Sequence, residues 1–433
     1  MARTGYVPSL GMRGTGTWSD NENPGSWREG ILYLYPNGSA PLTAILSKAK
    51  SRYETEEHFH WWTKTLSTRA GAISAITDPG TGSAYVSGAA AGDSLRMAVT
   101  GAFSHEIVNG HNVLLRKTGD HSEDVVGKVT NVQRGTDSGL IDVTLAQADQ
   151  GDLANVDRLI ILSNSNPEGS VWPESVAYHP TEMENLLQII RSPLRMTGTA
   201  LNKKKLRTGD AYKEMKRETL EYHSIDIEQA LLWGIMTTGT GSNGQPERTM
   251  MGIREFISTY NPAGIIDCAR TLDYAGQVWT DYSRALLDNA MMNSFMYGKS
   301  TEKTVLAGSG AILGIQQMVT ANSQYNISQG ESKYGIRVLR LESAFGVWNI
   351  VRAPLFNHEP SNRNSMFVLD IDNIKFVYSR DTDFWPDVFF GKGGPVGLDG
   401  KVEGFLTEAS LELYFPETFM YLSNVGVDSV LSS

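Results

Sequence analysis

The spacing of apolar residues predicts strands in the first half of the chain. From about 95 to 165, apolar and polar residues alternate in short runs, and in "LIDVTLA" the side chains of Ile141, Val143 and Leu145 share one face. A period of two residues is typical of a strand with one buried face. Turn residues, such as the Asn-Gly pair before "HNVLLRK", separate these runs at short intervals. The segment therefore predicts a small β barrel or sandwich.

Helical spacing begins after residue 200. The stretch "GDAYKEMKRETLEYHSIDIEQALLWG" holds strong helix formers and no proline, and it meets a natural stop at Gly234 or Gly239. Its first half is polar nearly all round, whereas Leu220, Ile227 and Leu231 share a face in its second half. We therefore predict one long helix that is solvated at its start and packed at its end.

Other patterns complete the order of elements. "SVAYHPTEMENLLQIIRSPLRMTGT" has no helical stripe and contains Pro180 and Pro193, which predicts an extended hairpin. "DYAGQVWTDYSRALLDNAMMNSFMYG" and "GSGAILGIQQMVTANS" predict two further helices, and strand patterns follow from about residue 334. An arm, a β insertion, a long helix, a mixed lobe and closing strands together predict an α+β fold.

The first 40 residues are poor in core-forming side chains. They are rich in Gly, Asn, Ser and Thr, and their aromatic residues, including Trp18 and Trp27, are scattered singly. Such a segment cannot bury enough apolar area on itself to offset its ordering entropy. We expect a neighbouring subunit to order this arm.

Composition narrows the class of protein. A chain of 433 residues with 40% hydrophobic residues is long enough for two or three lobes. A net charge of −10 argues against a surface that grips phosphates, and the sequence shows neither a signal peptide nor a membrane span. The single cysteine, Cys268, excludes an internal disulfide framework and is expected to be a buried apolar residue. We expect a protein that folds in the cytoplasm, without contact with a membrane.

The stretch "ETEEHFHWW" combines metal-ligand residue types. Alternation puts Phe59 and Trp61 on one face of a strand and His58, His60 and Trp62 on the other. Two ligands without a third in a defined register do not make a metal site. We therefore predict packing and hydrogen bonding between subunits here, with no metal and no cofactor.

Other chemical motifs are weak. "TTGTGSNG" lacks the Gly-Lys-Ser/Thr ending of a phosphate-binding loop and is interpreted as a plain loop. Asp370 and Asp372 are predicted on one strand face, where carboxylates are more often solvated than metal-bound. There is no nucleophile elbow and no histidine-acid set with catalytic spacing. The sequence predicts no enzyme.

The order of several segments resembles a known family. "APLTAILSKAKSRYETEEHFHWW", "PEGSVWPESVAYHPTEMENLLQIIRSPLRMTGTA", "EYHSIDIEQALLWG", "PERTMMGIREFI", "VLDIDNIKFVYSRD" and "SLELYFPETFMYLSNV" follow one another between about 36 and 425. In this order they resemble the major capsid proteins of tailed bacteriophages (Caudoviricetes) with the Hong Kong 97 fold. The resemblance is to the subgroup with a β domain inserted in the extended loop.

The resemblance implies five parts of the chain. These are an N-terminal arm at 1–62, an extended loop with the inserted β domain at 63–200, a peripheral domain with the spine helix at 201–265, an axial domain at 266–405, and closing peripheral strands with the C-terminus at 406–433.

The resemblance also implies a function: self-assembly into the icosahedral head shell of a virion that encloses double-stranded DNA. Copies would form pentamers and hexamers in the host cytoplasm, with scaffolding and decoration proteins as possible partners and no sequence-specific DNA binding. Many weak contacts suit such a shell, because assembly can then correct errors. Candidate contacts between subunits are Trp18, Trp27, Phe59, Trp61, Leu187, Ile189 and Ile190.

Three other interpretations stay open from the residues alone. The same fold serves an encapsulin-like compartment with protein cargo. A different class is an enzyme or carbohydrate-binding module that uses the β domain. A third is another virion structural protein, such as one from the tail or portal.

Overall fold

A computed structural model describes residues 41–46, 50–64, 67–149, 151, 153–202, 211–321, 327–329, 338–386 and 400–430. They divide into two compact units. One unit is Trp62–Glu182, and the other combines the chain up to Trp61 with the chain from Met183 onward. Both helices and strands are present, which confirms the predicted α+β class.

Seven α-helices and twenty-one strands make up these units. The helices are α1 (Pro41–Leu46), α2 (Gly101–Ser104), α3 (Gly198–Asn202), α4 (Ala211–Trp233), α5 (Ile253–Tyr260), α6 (Trp279–Met296) and α7 (Ser309–Ala321), counted over the residues described above. The strands, counted in the same way, are β1 (Lys50–Tyr53), β2 (His58–Thr63), β3 (Ala70–Thr77), β4 (Ser94–Thr100), β5 (His111–Lys117), β6 (Asp120–Gln133), β7 (Ser138–Leu145), β8 (Arg158–Asn164), β9 (Thr181–Leu186), β10 (Gln188–Thr197), β11 (Thr237–Thr240), β12 (Pro246–Thr249), β13 (Ile265–Asp267), β14 (Glu302–Ala307), β15 (Ile327–Gln329), β16 (Val338–Glu342), β17 (Val347–Arg352), β18 (Met366–Leu369), β19 (Ile374–Trp385), β20 (Gly400–Leu413) and β21 (Met420–Ser423).

The unit Trp62–Glu182 contains a closed β barrel. Its strands follow the order β3-β4-β7-β6-β5-β8, and β8 pairs back with β3. Alternate residues point inward to one apolar core, in which Met97, Leu115 and Ile141 are fully buried. The predicted barrel is confirmed, but its predicted start near 95 is wrong, because the first barrel strand begins at Ala70.

A four-stranded sheet in the other unit brings distant segments together, in the order β1-β19-β20-β10. Strand β1 runs parallel to β19, and β20 runs antiparallel to both β19 and β10. Helix α4 packs on this sheet through β10 and β20. Its buried residues Ile227, Leu231 and Leu232 lie near its C-terminal end, as the sequence predicts.

A seven-stranded sheet with the order β13-β21-β18-β14-β17-β16-β15 forms the rest of this unit. Helices α6 and α7 pack against each other. The same apolar cluster joins Trp279 and Leu286 of α6, Ile315 of α7 and Trp348 of β17. None of the helices that the structure describes is long and apolar enough to span a membrane.

Several predicted boundaries fall inside continuous elements. The 405/406 boundary cuts β20, and the final strands divide, since β20 belongs to the four-stranded sheet and β21 to the seven-stranded one. The boundary at 200/201 cuts α3. The glycine-rich segment interpreted as a plain loop instead forms a hairpin of β11 and β12. Hydrogen bonding between strands overrides local composition at these points.

Candidate functional site

Strand β2 shows the alternation predicted for "HFHWW". Phe59 and Trp61 are 3% and 5% exposed, and the indole Nε1–H of Trp61 donates to the Leu413 carbonyl oxygen at 2.8 Å. The outward positions hold His58 and His60. The pleat of the strand produces this alternation, because successive side chains of a strand point to opposite faces.

The predicted inter-subunit residues lie at different depths. Leu187 and Ile190 are buried in the same apolar cluster as Phe59 and Trp61. The prediction that a neighbouring subunit buries these four side chains is corrected, because their own chain already covers them. Ile189 is 49% exposed and is still available for such a contact. Trp18 and Trp27 lie outside the described residues.

Exposed apolar side chains mark surfaces that one chain leaves uncovered. In the barrel-containing unit, Val171 and Trp172 are 88% and 96% exposed, in a segment without regular structure. In the other unit, Leu272, Ile235 and Met296 are more than half exposed. Exposed apolar surface is typical of protein interaction sites. The periodicity of apolar and polar positions in the sequence could not identify these residues, because none of them departs from the pattern around it.

The outward face of β2 carries a cluster that sequence reasoning missed in part. His58 Nε2 lies 3.0 Å from Glu184 Oε2, and His60 Nδ1 lies 3.7 Å from the same oxygen. The two imidazole rings are 4.3 Å apart. Glu184 comes from β9, which pairs with β2. The sequence placed the two histidines together but gave no signal for the carboxylate across the strand pair.

Asp370 and Asp372 do not share a strand face. A turn of 3₁₀ helix over Ile371–Asn373 interrupts the predicted strand, so Asp370 is 3% exposed while Asp372 faces solvent. Burial raises the pKa of Asp370, and the positive charge of Lys303 partly offsets that rise. The prediction that both carboxylates are solvated on one strand face is therefore wrong.

Lys303 is a buried cation in the seven-stranded sheet. It is 2% exposed, and its Nζ donates to the Thr418 carbonyl oxygen at 2.5 Å. Burial lowers the pKa of Lys303 to about 8, against the opposing charge of Asp370. The buried carbonyl and the nearby carboxylate account for its position.

Cys268 is also buried, as predicted from its surroundings in the sequence. Burial, helped by the charge of Asp267, raises the pKa of its thiol to about 12. A thiol that is both covered and protonated is a poor nucleophile.

Comparisons with known proteins identify the family. A family model described as the SU10 major capsid protein matches residues 15–426. The major capsid protein of Pseudomonas phage PaMx41 is 24% identical over 401 residues, which are 89% of each chain. The capsid of a native GTA particle is 10% identical, with a TM-score of 0.45 over 94% of this chain and 97% of that chain. The holo-SrpI encapsulin complex from Synechococcus elongatus PCC 7942 is 14% identical, with a TM-score of 0.39 over 59% of this chain and 79% of that chain. Because the family model spans nearly the whole sequence, the chain belongs to the SU10 major capsid protein family, as its resemblance to tailed-phage major capsid proteins predicted.

Proposed function

We propose that many copies of this chain assemble into the icosahedral head shell of a phage and enclose its double-stranded DNA. The observation that carries the proposal is the family match over residues 15–426. This family is a structural one and not an enzyme class. The lack of a catalytic constellation in the sequence agrees with a chain that has no activity of its own.

The parts of the chain take the roles that the Hong Kong 97 arrangement gives them. The arm ends in β2, and the unit Trp62–Glu182 is the insertion in the extended loop. Helix α4 with the four-stranded sheet is the peripheral domain, and α6 and α7 with the seven-stranded sheet form the axial domain. Support comes from the matching order of elements, with boundaries moved to the ends of the observed strands.

Contacts between copies use the apolar side chains that a single chain leaves exposed. Val171, Trp172, Leu272, Ile235 and Ile189 are candidates, because each is about half exposed or more. Trp18 and Trp27 are further candidates for these contacts from the sequence. Pentamers and hexamers place the same surface against slightly different partners, which favours several weak contacts over one rigid patch.

The relation to DNA is enclosure without sequence-specific binding. The net charge of −10 supports this, since a strongly negative protein repels phosphates over the range of the Debye length. Assembly takes place in the host cytoplasm, and scaffolding and decoration proteins are further candidate partners.

Electron microscopy of the expressed full chain, alone and with a scaffolding protein, tests the proposal. We expect closed shells built of pentamers and hexamers, and nucleic acid inside particles purified from infected cells. Shells that contain a protein cargo instead would favour an encapsulin-like compartment. A soluble monomer with a sugar ligand in the barrel would favour the binding-module interpretation.

A further inference from the structure

Three potential metal ligands converge on the outward face of the β2–β9 strand pair. The ligand atoms of His58, His60 and Glu184 all lie within 4.8 Å of one another. The two histidines are two positions apart on one strand, so both imidazoles project to the same side. The carboxylate reaches them from the neighbouring strand. We propose that these three side chains bind one divalent transition-metal ion, with zinc as the reference case.

The donor set suits such an ion. Imidazole nitrogen favours zinc and its first-row neighbours, and a carboxylate oxygen completes the two-histidine, one-carboxylate set that zinc accepts. Metal–ligand bonds of about 2.0–2.2 Å separate neighbouring donors by about 3.0 Å at octahedral angles and by about 3.4 Å at tetrahedral angles. The His58–Glu184 separation is 3.0 Å and the His60–Glu184 separation is 3.7 Å, so small side-chain rotations complete the geometry.

The backbone that carries these ligands is held firmly from its inner face. On β2, the alternate residues Phe59 and Trp61 are locked in the apolar core. On β9, the buried Asn185 amide donates to the carbonyl oxygens of Met251 and Leu411 at 3.2 and 2.9 Å. Ligands on rigid, packed strands are preorganised, which lowers the entropic cost of binding an ion.

A second contact holds the strand at Glu184 itself. The backbone N–H of Glu184 donates to the hydroxyl oxygen of Tyr260, the last residue of helix α5, so β9 is held against that helix. Strand β2 is connected to β9 nearby, since the Leu187 amide donates to the Glu57 carbonyl oxygen at 2.8 Å. The ligands therefore need only side-chain rotation, and no backbone movement, to close on an ion.

The ligands face solvent, with 47%, 41% and 41% of the side chains of His58, His60 and Glu184 exposed. An ion at this position has an open path and keeps coordination positions for water. It would also join β2 to β9, the two strands by which the chain enters and leaves the barrel-containing unit. The site does not depend on the proposed shell, because one chain supplies all three ligands.

The competing explanation is a hydrogen-bonded histidine–glutamate pair without metal. That explanation accounts for the 3.0 Å contact of His58, and the 3.7 Å contact of His60 with the same oxygen is compatible with it. It also predicts no dependence of stability on metal. The two explanations therefore differ in a measurable way.

The test uses untagged full-length protein, because a histidine tag would itself bind the probe. Isothermal titration with Zn²⁺ alone measures stoichiometry and affinity, and Co²⁺ supplies a visible absorption spectrum that reports on its ligands. The variants are His60→Asn and Glu184→Gln, which are conservative changes at partly exposed positions. His105→Asn, at an exposed histidine of the barrel-containing unit, is the matched control.

We expect one ion per chain, a dissociation constant of micromolar or tighter, and a rise in the unfolding midpoint with Zn²⁺. The affinity should fall by about 100-fold or more in His60→Asn and by at least about tenfold in Glu184→Gln, and the Co²⁺ spectrum should change in both. His105→Asn should bind like the parent. Failure of the parent to bind, or equal binding by all three variants, would overturn the proposal, whatever the outcome of the assembly experiment.

Discussion

The two units of the chain solve the same packing problem in different ways. The barrel draws all its strands from one continuous segment, and closure leaves no strand edge among them. The other unit pairs strands from opposite ends of the sequence, as where Lys50 lies opposite Lys375. A local, closed unit can be inserted into a loop without disturbing the host's pairing. A unit with distant pairings must have both ends of the chain in place before its sheets form.

This comparison predicts separate stabilities. Leu115→Ala removes a fully buried side chain from the barrel core and should cost about 2–5 kcal/mol of unfolding free energy. Differential scanning calorimetry of the full chain should show the barrel transition moving down while the other transition stays in place. Leu162→Ala, at a side chain that is 51% exposed, is the control and should change little. A joint shift of both transitions would show that the two units do not unfold separately.

Asn185→Ala tests the other unit. Its amide oxygen accepts from the Met251 N–H at 2.7 Å, and its amide nitrogen donates to two carbonyls, all of them buried. Leaving these buried groups without a hydrogen-bond partner should lower the free energy of unfolding by about 3 kcal/mol, and the thermal transition of the barrel should stay in place. Asn112→Ala removes two exposed hydrogen bonds in the barrel-containing unit, one donated to Ser163 and one accepted from Ser165, and should cost about 0.5 kcal/mol. Equal costs for the two variants would show that burial does not distinguish them.

Lys303 gives the same unit a pH dependence above pH 7. Its folded pKa is about 8, against an ordinary value of 10.5, so above pH 8 the unfolded chain holds the extra proton. Stability should therefore rise with pH, by about 1.4 kcal/mol between pH 7 and 9 from this group alone.

The raised pKa of Cys268 opposes this trend above pH 9, because the unfolded thiol then loses its proton first. The informative quantity is the difference between parent and Lys303→Met in denaturant titrations at pH 7, 8 and 9. If the free energy of unfolding changes with pH in the same way in the parent and in Lys303→Met, burial does not lower the pKa of this lysine.

The smallest effect is expected on the barrel-containing unit's surface. The ion pair between Arg134 and Glu174 joins two side chains that are 38% and 71% exposed. Exposed pairs contribute about 0–1 kcal/mol, so Arg134→Ala should change the barrel transition by less than about 0.5 kcal/mol. A change of several kcal/mol would show that this contact contributes more to stability than an exposed ion pair does.

Sequence patterns predicted which elements both units contain better than they predicted where those elements begin and end. The strands after residue 94 alternate clearly, but β3 reads "AGAISAIT", in which only Ile73 and Ile76 are large and apolar. Small residues give a weak period-two signal, so the barrel's start was placed too late. Closure was equally hidden, because a barrel and a sandwich share the same alternation.

The candidate site shows a second limit of sequence reasoning. Alternation correctly separated Phe59 and Trp61 from His58 and His60, yet it says which face is buried and not which chain covers it. Glu184 follows His58 by 126 positions, and only the pairing of β2 with β9 brings it near. A third ligand on another strand cannot be found from local spacing.

We conclude that this chain builds a shell from many copies of itself. Sedimentation velocity of the purified full chain over a wide concentration range, with and without a candidate scaffolding protein, measures this assembly. We predict capsomers and closed particles of very large mass that form as concentration rises. A single compact monomer at every concentration, with and without scaffold, would show that the chain does not assemble into a shell.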